Sequence, residues 1–123
     1  MKFLLKVGIA GYGVVGKKRK KILDSMTGVK IVAISDKSPK NKIVNKEINF
    51  FDDYKKLFNE DLDILFISLP NKYAADATIR ALNKNINVFC EKPPARNIVE
   101  LKKILSAYKK KKRKIKLKYG FNH

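Results

Sequence analysis

The chain has 123 residues, of which 45% are hydrophobic and 10% aromatic; this predicts one globular domain and excludes a disordered chain. No apolar run approaches the ~18 residues that a membrane span needs. A single cysteine, Cys90, excludes an internal disulfide framework and fits a reducing cytoplasm. The net charge is +18, but only four of the 29 basic residues are arginines. We therefore expect a solvated lysine surface rather than one built for nucleic acid.

The first predicted strand, from about Lys2 to Ala10, leads into three glycines, Gly11, Gly13 and Gly16, at the start of a predicted helix. This order is typical of a site for the pyrophosphate of a dinucleotide. The first glycine permits a sharp turn, the second lets a phosphate approach the backbone, and the third lets the helix pack closely on the strand. Amide groups of the first helical turn then favour the negative charge. The alternative is an ordinary strand–helix–strand unit without a ligand.

The second predicted strand, from Val29 to Ser35, ends immediately before an acidic residue, Asp36, which lies 20 residues after Gly16. A carboxylate at this distance accepts hydrogen bonds from the hydroxyls of a cofactor ribose and repels a 2′-phosphate. We therefore expect NAD as the cofactor. Because Lys37 and Ser38 could both contact a 2′-phosphate, NADP stays the alternative.

The rest of the chain alternates between predicted strands and helices, which predicts an α/β fold. The predicted helices run from about Gly13 to Met26, Asp52 to Asn59, Lys72 to Asn83 and Asn97 to Lys112, and the later strands from Ile48 to Phe51, Asp63 to Ser68, Ile86 to Cys90 and Ile115 to Tyr119. The first helix is expected to bury an apolar stripe made of Val14, Val15, Ile22, Leu23 and Met26. The strand that begins at Asp63 is expected to be buried on both faces.

This alternation predicts a doubly wound parallel sheet between two layers of helices, a three-layer αβα domain over residues 1–120. Parallel strands end at the same edge of such a sheet, and ligands bind there at the point where the strand order reverses. Four predicted loops fall on that edge: Gly11–Gly16, Asp36–Ser38, Ser68–Asn71 and Glu91–Pro93. We expect them to form one ligand site.

The tripeptide Glu-Lys-Pro at Glu91–Pro93 lies at a recognisable distance behind the glycines. With it, the chain resembles the nucleotide-binding domain of the Gfo/Idh/MocA oxidoreductases (glucose–fructose oxidoreductase, inositol dehydrogenase and relatives). The matching pieces, which span essentially the whole chain, are Gly11–Gly13 with Gly16, Asp36, Pro70-Asn71, Val88–Pro93 and Tyr119–Asn122. The resemblance implies a Rossmann fold and hydride transfer between a nicotinamide cofactor and a hydroxyl or carbonyl carbon of a sugar, sugar nucleotide or cyclitol.

The resemblance also implies which residues form the site. The expected cofactor-binding residues are Gly11, Tyr12, Gly13, Val14, Val15, Gly16, Asp36, Lys37, Ser68, Leu69, Pro70, Asn71, Glu91, Lys92 and Pro93. Lys92 is the expected catalytic residue, since the equivalent lysine lies near the nicotinamide and the reacting carbon. A cationic amine beside an alcohol or ketone stabilises developing negative charge and helps to move a proton. No metal site is predicted.

The chain departs from the family at two points. A histidine often follows the Pro-Asn pair by a few residues, and here Lys72 to Ala75 contain none. Family members also continue into an α/β substrate domain, so we expect residues 121–123 to begin a linker to such a domain, present in cis or as a separate chain. The other expectations are a small sugar-like substrate, a cytoplasmic location, no membrane contact and an oligomeric state left open, with a homo-oligomer among the alternatives.

Two other functions compete with this interpretation. One is a stand-alone, non-catalytic dinucleotide-binding module. The other is nucleic-acid binding through Lys109 to Lys118, where eight of ten residues are basic. No aromatic residue for base stacking lies within that run, so we consider it the weaker alternative.

Overall fold

A computed structural model of the protein describes residues 4–91, 96–111 and 117–120. Its strands are β1 (Leu5–Ala10), β2 (Val29–Ser35), β3 (Asn49–Phe51), β4 (Ile64–Ile67), β5 (Asn87–Glu91) and β6 (Leu117–Gly120), and its α-helices are α1 (Val14–Asp24), α2 (Asn71–Asn83) and α3 (Ile98–Lys111). All neighbouring strands are parallel, in the order β3-β2-β1-β4-β5-β6. The predicted doubly wound parallel sheet is confirmed.

The sheet has a hydrophobic core on each face. On one face Leu23 of α1 packs with Val7 and Ile9 of β1. On the other face the helices α2 and α3 cover β4 and β5, with Ile67 and Leu82 among the fully buried side chains. Layers of helices on both faces of a parallel sheet give the three-layer αβα architecture that the alternating pattern predicts.

The strand order reverses between β1 and β4, because the chain runs from β1 outward to β3 and then returns to β4 on the other side of β1. Loops at the carboxyl ends of these central strands are tied together by the backbone. The Gly11 amide donates to the carbonyl oxygen of Ser35 (2.9 Å), and the Ser68 amide donates to that of Ala10 (2.7 Å). The loops after three strands therefore meet at one point of the sheet edge.

The buried face of α1 differs from the predicted apolar stripe. Val14, Ile22 and Met26 are 72%, 54% and 49% exposed. The side turned inward instead follows the spacing i, i+3, i+4, i+7. Its members are Gly16, Arg19, Lys20 and Leu23, which are buried or half-buried. The predicted stripe was right at Leu23, which is buried, and at Val15, which is half-buried. It was wrong at its other three positions because two basic residues occupy the inward side of the helix, and hydrophobic periodicity assigns basic residues to solvent.

Burial of β4 alternates along the strand, although the strand was expected to be buried on both faces. Leu65 and Ile67 are fully buried, whereas Ile64 and Phe66 are half-buried. The half-buried side faces the α1 layer, where Phe66 lies beside Phe89 with ring centroids 5.4 Å apart. Helices of the second half of the sheet lie on the opposite face, which explains the difference.

The predicted helix from Asp52 to Asn59 is a 3₁₀ helix, Tyr54–Asn59. The carboxylate of Asp53 caps it by accepting the Lys55 amide at 2.9 Å. A second 3₁₀ turn, Pro39–Asn41, lies in the segment after β2 that lacks a strand or helix pattern. Both elements are short, as 3₁₀ helices usually are. The first two residues of the predicted last strand, Ile115 and Lys116, lie outside the described residues.

Candidate functional site

A cavity of about 510 Å³ opens at the carboxyl ends of β1, β2, β4 and β5. Ten of the predicted site residues line it: Gly11, Gly13, Val15, Asp36, Lys37, Ser68, Leu69, Pro70, Asn71 and Glu91. These residues come from all four of the loops that the sequence places on this edge. The structure therefore brings the four loops together around one cavity.

Three other predicted site residues lie beside the cavity rather than in its wall. The ring of Tyr12 is buried, whereas the side chain of Val14 projects into solvent. Gly16 is buried beneath the glycine turn. The remaining two, Lys92 and Pro93, lie outside the described residues, so their roles stay predictions.

Close backbone contacts shape the glycine turn. Gly11 has a φ of +92°, which side-chain-bearing residues rarely adopt, and a Cβ there would stand 2.5 Å from the carbonyl oxygen of Ser68. A Cβ at Gly16 would overlap the carbonyl oxygen of Gly11. Both positions therefore need glycine because the helix, the turn and the loop after β4 are in backbone contact.

Gly13 is different, because no described atom beyond its chain neighbours lies within 4 Å of the position that its Cβ would occupy. It is also the N-cap of α1, and no side chain caps the helix there. The amide groups of the first helical turn are thus left for a ligand, and the helix dipole favours an anion. The space beside Gly13 matches the expectation that a phosphate approaches the backbone at this position.

The carboxylate of Asp36 is fixed by two backbone amides. One oxygen accepts the Tyr12 amide at 2.6 Å and the other accepts the Ser38 amide at 2.7 Å. Each carboxylate oxygen can accept more than one hydrogen bond. The side chain is therefore held at the wall of the cavity with acceptor capacity left for a pair of hydroxyl groups.

Three buried oxygen atoms in the described part of the chain have no hydrogen-bond partner there: Ser35 Oγ, Ser68 Oγ and Glu91 Oε2. All three residues line the cavity. Buried polar atoms without partners are rare in native proteins, and each one calls for an explanation such as a bound ligand. Their convergence indicates that the cavity holds a polar ligand.

Three residues of the cavity wall were not predicted from the sequence: Ser35, Tyr54 and Tyr73. Ser35 ends a predicted strand, which is a signal that could have found it. No sequence motif marks the two tyrosines, because they reach the cavity only when Tyr54–Asn59 and α2 pack against the sheet. Their rings lie against each other, with centroids 5.8 Å apart.

Each tyrosine hydroxyl is held by a charged partner. Tyr54 Oη donates to Asp76 Oδ2 at 2.6 Å; burial and this carboxylate together raise the pKa of Tyr54. Lys37 Nζ donates to Tyr73 Oη at 2.8 Å. This hydrogen bond and the nearby ammonium of Lys72 lower the pKa of Tyr73. The Lys37–Tyr73 pair links the loop after β2 to α2 across the cavity.

The described residues give little support to a nucleophilic thiol or a metal centre. Burial raises the pKa of the Cys90 thiol to about 11, so the thiolate needed for nucleophilic attack is scarce at neutral pH. Within residues 4–91, 96–111 and 117–120, no cluster of three or more His, Cys, Asp or Glu side chains is placed to hold a metal ion. No helix in the same ranges is long and apolar enough to span a membrane.

The sequence matches a known protein family and is similar to a known enzyme. A family model described as an oxidoreductase family with an NAD-binding Rossmann fold matches residues 5–119. The chain is 32% identical over 113 residues to the inositol 2-dehydrogenase of Salmonella typhimurium (strain LT2), a match that covers 86% of this chain and 34% of that protein.

Two solved structures resemble the fold closely. Myo-inositol 2-dehydrogenase from Lactobacillus plantarum superposes with a TM-score of 0.85 and 27% identity, over 95% of this chain and 36% of that one. Scyllo-inositol dehydrogenase from Lactobacillus casei, solved with bound NAD(H) and scyllo-inositol, superposes with a TM-score of 0.83 and 23% identity, over 97% and 36% of the two chains. The chain thus spans about a third of the length of these relatives.

The glycine contacts predict that two alanine substitutions affect stability to very different extents. We expect Gly16→Ala to lower the free energy of unfolding by roughly 2 kcal/mol, because the new Cβ meets a backbone carbonyl that cannot move aside. The Cβ that Gly13→Ala adds points into open space, so this substitution should change the free energy of unfolding by less than about 1 kcal/mol. Urea unfolding followed by circular dichroism measures both. Equal stability of the two variants would contradict the close contact at Gly16.

Proposed function

Because the chain belongs to the Gfo/Idh/MocA family of oxidoreductases with an NAD-binding Rossmann fold, we propose that it is the cofactor domain of a nicotinamide-dependent dehydrogenase. The proposed reaction moves a hydride between the cofactor and a hydroxyl or carbonyl carbon of a cyclitol or sugar. The nicotinamide supplies the hydride chemistry, and the protein supplies placement and charge.

The observation that carries this proposal is the cavity around the glycine turn, at the reversal of strand order. The uncapped start of α1 and the open space at Gly13 fit a pyrophosphate. The buried Oε2 of Glu91 needs a donor, and the buried hydroxyls of Ser35 and Ser68 need a donor or an acceptor. A dinucleotide with two riboses and a carboxamide offers both. The residues present therefore fit the cofactor that the family implies.

We assign the adenosine ribose to the end of the cavity formed by Asp36. Its carboxylate is pre-oriented by two amides, so it can accept both ribose hydroxyls without reorganising. One of the three N–H donors of Lys37 is engaged with Tyr73 Oη, which holds the ammonium beside α2. This arrangement supports NAD over NADP.

The catalytic role of Lys92 is carried over from the family, and it gains support from its place in the chain. Lys92 directly follows Glu91, which ends β5 at the cavity. Its amine would act as the positive charge beside the reacting oxygen of the substrate. We propose that it holds the alcohol or carbonyl oxygen and assists proton movement at that atom.

The substrate class rests on the relatives. Both the curated relative and the solved structures named above are inositol dehydrogenases, and the chain spans about a third of their length. We propose that a substrate domain, in cis or as a separate chain, completes the pocket over Lys92. Myo-inositol and scyllo-inositol are therefore the first substrates to assay.

Replacing Gly13 by valine should strongly weaken cofactor binding while the protein stays folded. The side chain would fill the space that we assign to the pyrophosphate. We expect NADH affinity, measured by isothermal titration calorimetry, to fall roughly 100-fold or more, equivalent to about 3 kcal/mol. A folded variant with unchanged affinity would exclude the phosphate site.

The protein should bind NADH more tightly than NADPH, because the carboxylate of Asp36 disfavours a 2′-phosphate. We expect Asp36→Ser to move the ratio of NADPH to NADH affinities roughly tenfold toward NADPH, because one negative charge beside the 2′ position is removed. Asp24→Ser is the matched control, since it removes an exposed carboxylate from the end of α1, away from the cavity. Both ratios are measured at one salt concentration. A parent protein that prefers NADPH would contradict the assignment.

The 123-residue chain by itself should bind NADH but turn over almost no inositol. Hydride transfer needs a substrate held close to the nicotinamide, and the proposed substrate domain supplies that pocket. Joining the chain to the substrate domain of an inositol dehydrogenase should give a rate, followed at the NADH absorbance, that Lys92→Ala then removes. Robust turnover by the 123 residues alone would refute the need for a second domain. Cofactor binding without turnover in either form would favour the stand-alone binding module.

A further inference from the structure

The carboxylate of Glu91, at the end of β5, is held by a residue that no motif singled out. Arg19, on the inward side of α1, donates to Glu91 Oε1 from Nε at 2.7 Å and also from Nη2. The Arg19 guanidinium lies over the ring of Phe89, 5.0 Å from its centroid. The ion pair is largely removed from water, because the side chain of Glu91 is only 7% exposed and that of Arg19 is 26% exposed.

The two oxygens of Glu91 differ in their environments. Oε1 accepts both hydrogen bonds from Arg19, whereas Oε2 is buried and has no donor among the described residues. Glu91 lines the cavity. A buried carboxylate oxygen without a donor is unfavourable, so a donor on a bound ligand is the partner that its position calls for.

The strand order shows which part of a dinucleotide reaches Glu91. Asp36 follows β2 and Glu91 ends β5, and the two strands between them are β1 and β4. A pyrophosphate at the glycine turn after β1 therefore has one nucleoside on the Asp36 side and the other on the Glu91 side. With the adenosine ribose at Asp36, the nicotinamide half lies toward Glu91.

We propose that Arg19 is a positioning residue for the nicotinamide half of the cofactor. It anchors one oxygen of Glu91 so that the other accepts a hydrogen bond from a hydroxyl or amide group of that half. The inference rests on the proposed cofactor-binding function and adds to it a residue of α1 that does not line the cavity.

Arginine suits this role better than lysine. Its planar guanidinium donates two hydrogen bonds in a fixed geometry and stacks on an aromatic ring, whereas a lysine ammonium is a mobile point charge. Arg19 uses both properties, on Glu91 and on Phe89. A lysine at this position should keep the charge but lose the orientation of the carboxylate.

The test compares the whole cofactor with its adenosine half. NADH and ADP are titrated into the 123-residue chain by calorimetry at one salt concentration, since ADP lacks the nicotinamide ribose and the carboxamide. We expect Arg19→Met to weaken NADH binding roughly 10- to 100-fold, the loss typical of one hydrogen bond to a charged group. ADP affinity should change less than about twofold, as expected when the contacts of the ligand are unaltered.

Two further variants sharpen the experiment. Lys20→Met is the matched control, because Lys20 is the neighbouring residue of α1 and pairs with Asp24 rather than with Glu91. It removes the same charge and should leave both affinities unchanged. Glu91→Gln should weaken NADH binding selectively, and adding Arg19→Met to it should cost little more, since both changes remove one interaction. Arg19→Lys should lie between the parent and Arg19→Met, and it replaces Arg19→Met if that variant does not fold.

The outcomes separate this inference from the proposal on which it rests. If the parent chain binds neither NADH nor ADP, the cofactor-binding function itself fails. If the parent binds both but the Arg19 variants lose NADH and ADP affinity equally, Arg19 supports only the fold or the general charge, and the positioning role is overturned. Unchanged NADH affinity in Arg19→Met or Arg19→Lys overturns it as well.

Discussion

The contact between the start of α1 and the turn after β1 is the constraint on which the site depends. Gly16 lies against the carbonyl oxygen of Gly11, and Gly11 in turn lies against the backbone of Ser68 after β4. No side chain separates these three backbone segments. The N-terminus of the helix is therefore fixed at the reversal of strand order, and its free amides point to one place at the sheet edge.

Local rules predicted most of the fold, because each strand is a short apolar run and each crossover is helical. They failed where tertiary packing overrides periodicity. In α1 the inward positions carry Arg19 and Lys20, so three of the five residues of the predicted apolar stripe are exposed instead of buried. Arg19 lies on the inward side of the helix because it pairs with Glu91, 72 residues away in the sequence. A single sequence carries no local signal for such a pair.

The candidate site, like the fold, could be predicted only in part from the sequence. Loops at the carboxyl ends of parallel strands must share an edge, so their convergence followed from the predicted topology alone. The tyrosines of the cavity wall could not be predicted, because Tyr54 and Tyr73 contact each other only after two elements fold onto the sheet. Their charged partners, Asp76 and Lys37, belong to different parts of the chain. Motifs thus located the backbone of the site, and packing supplied the side chains of its wall.

The charges of the cavity fit a dinucleotide better than a nucleoside triphosphate. The carboxylates of Asp36 and Glu91 lie on either side of the glycine turn, whose amides and helix dipole favour an anion between them. A ligand with a central pyrophosphate and hydroxyl groups at both sides matches that order of charge. A nucleoside triphosphate has no second nucleoside that could place a hydroxyl or amide donor beside Glu91 Oε2. The net charge of +18 does not discriminate between these ligands, because surface lysines attract every polyanion and are screened within a Debye length of about 8 Å at physiological salt.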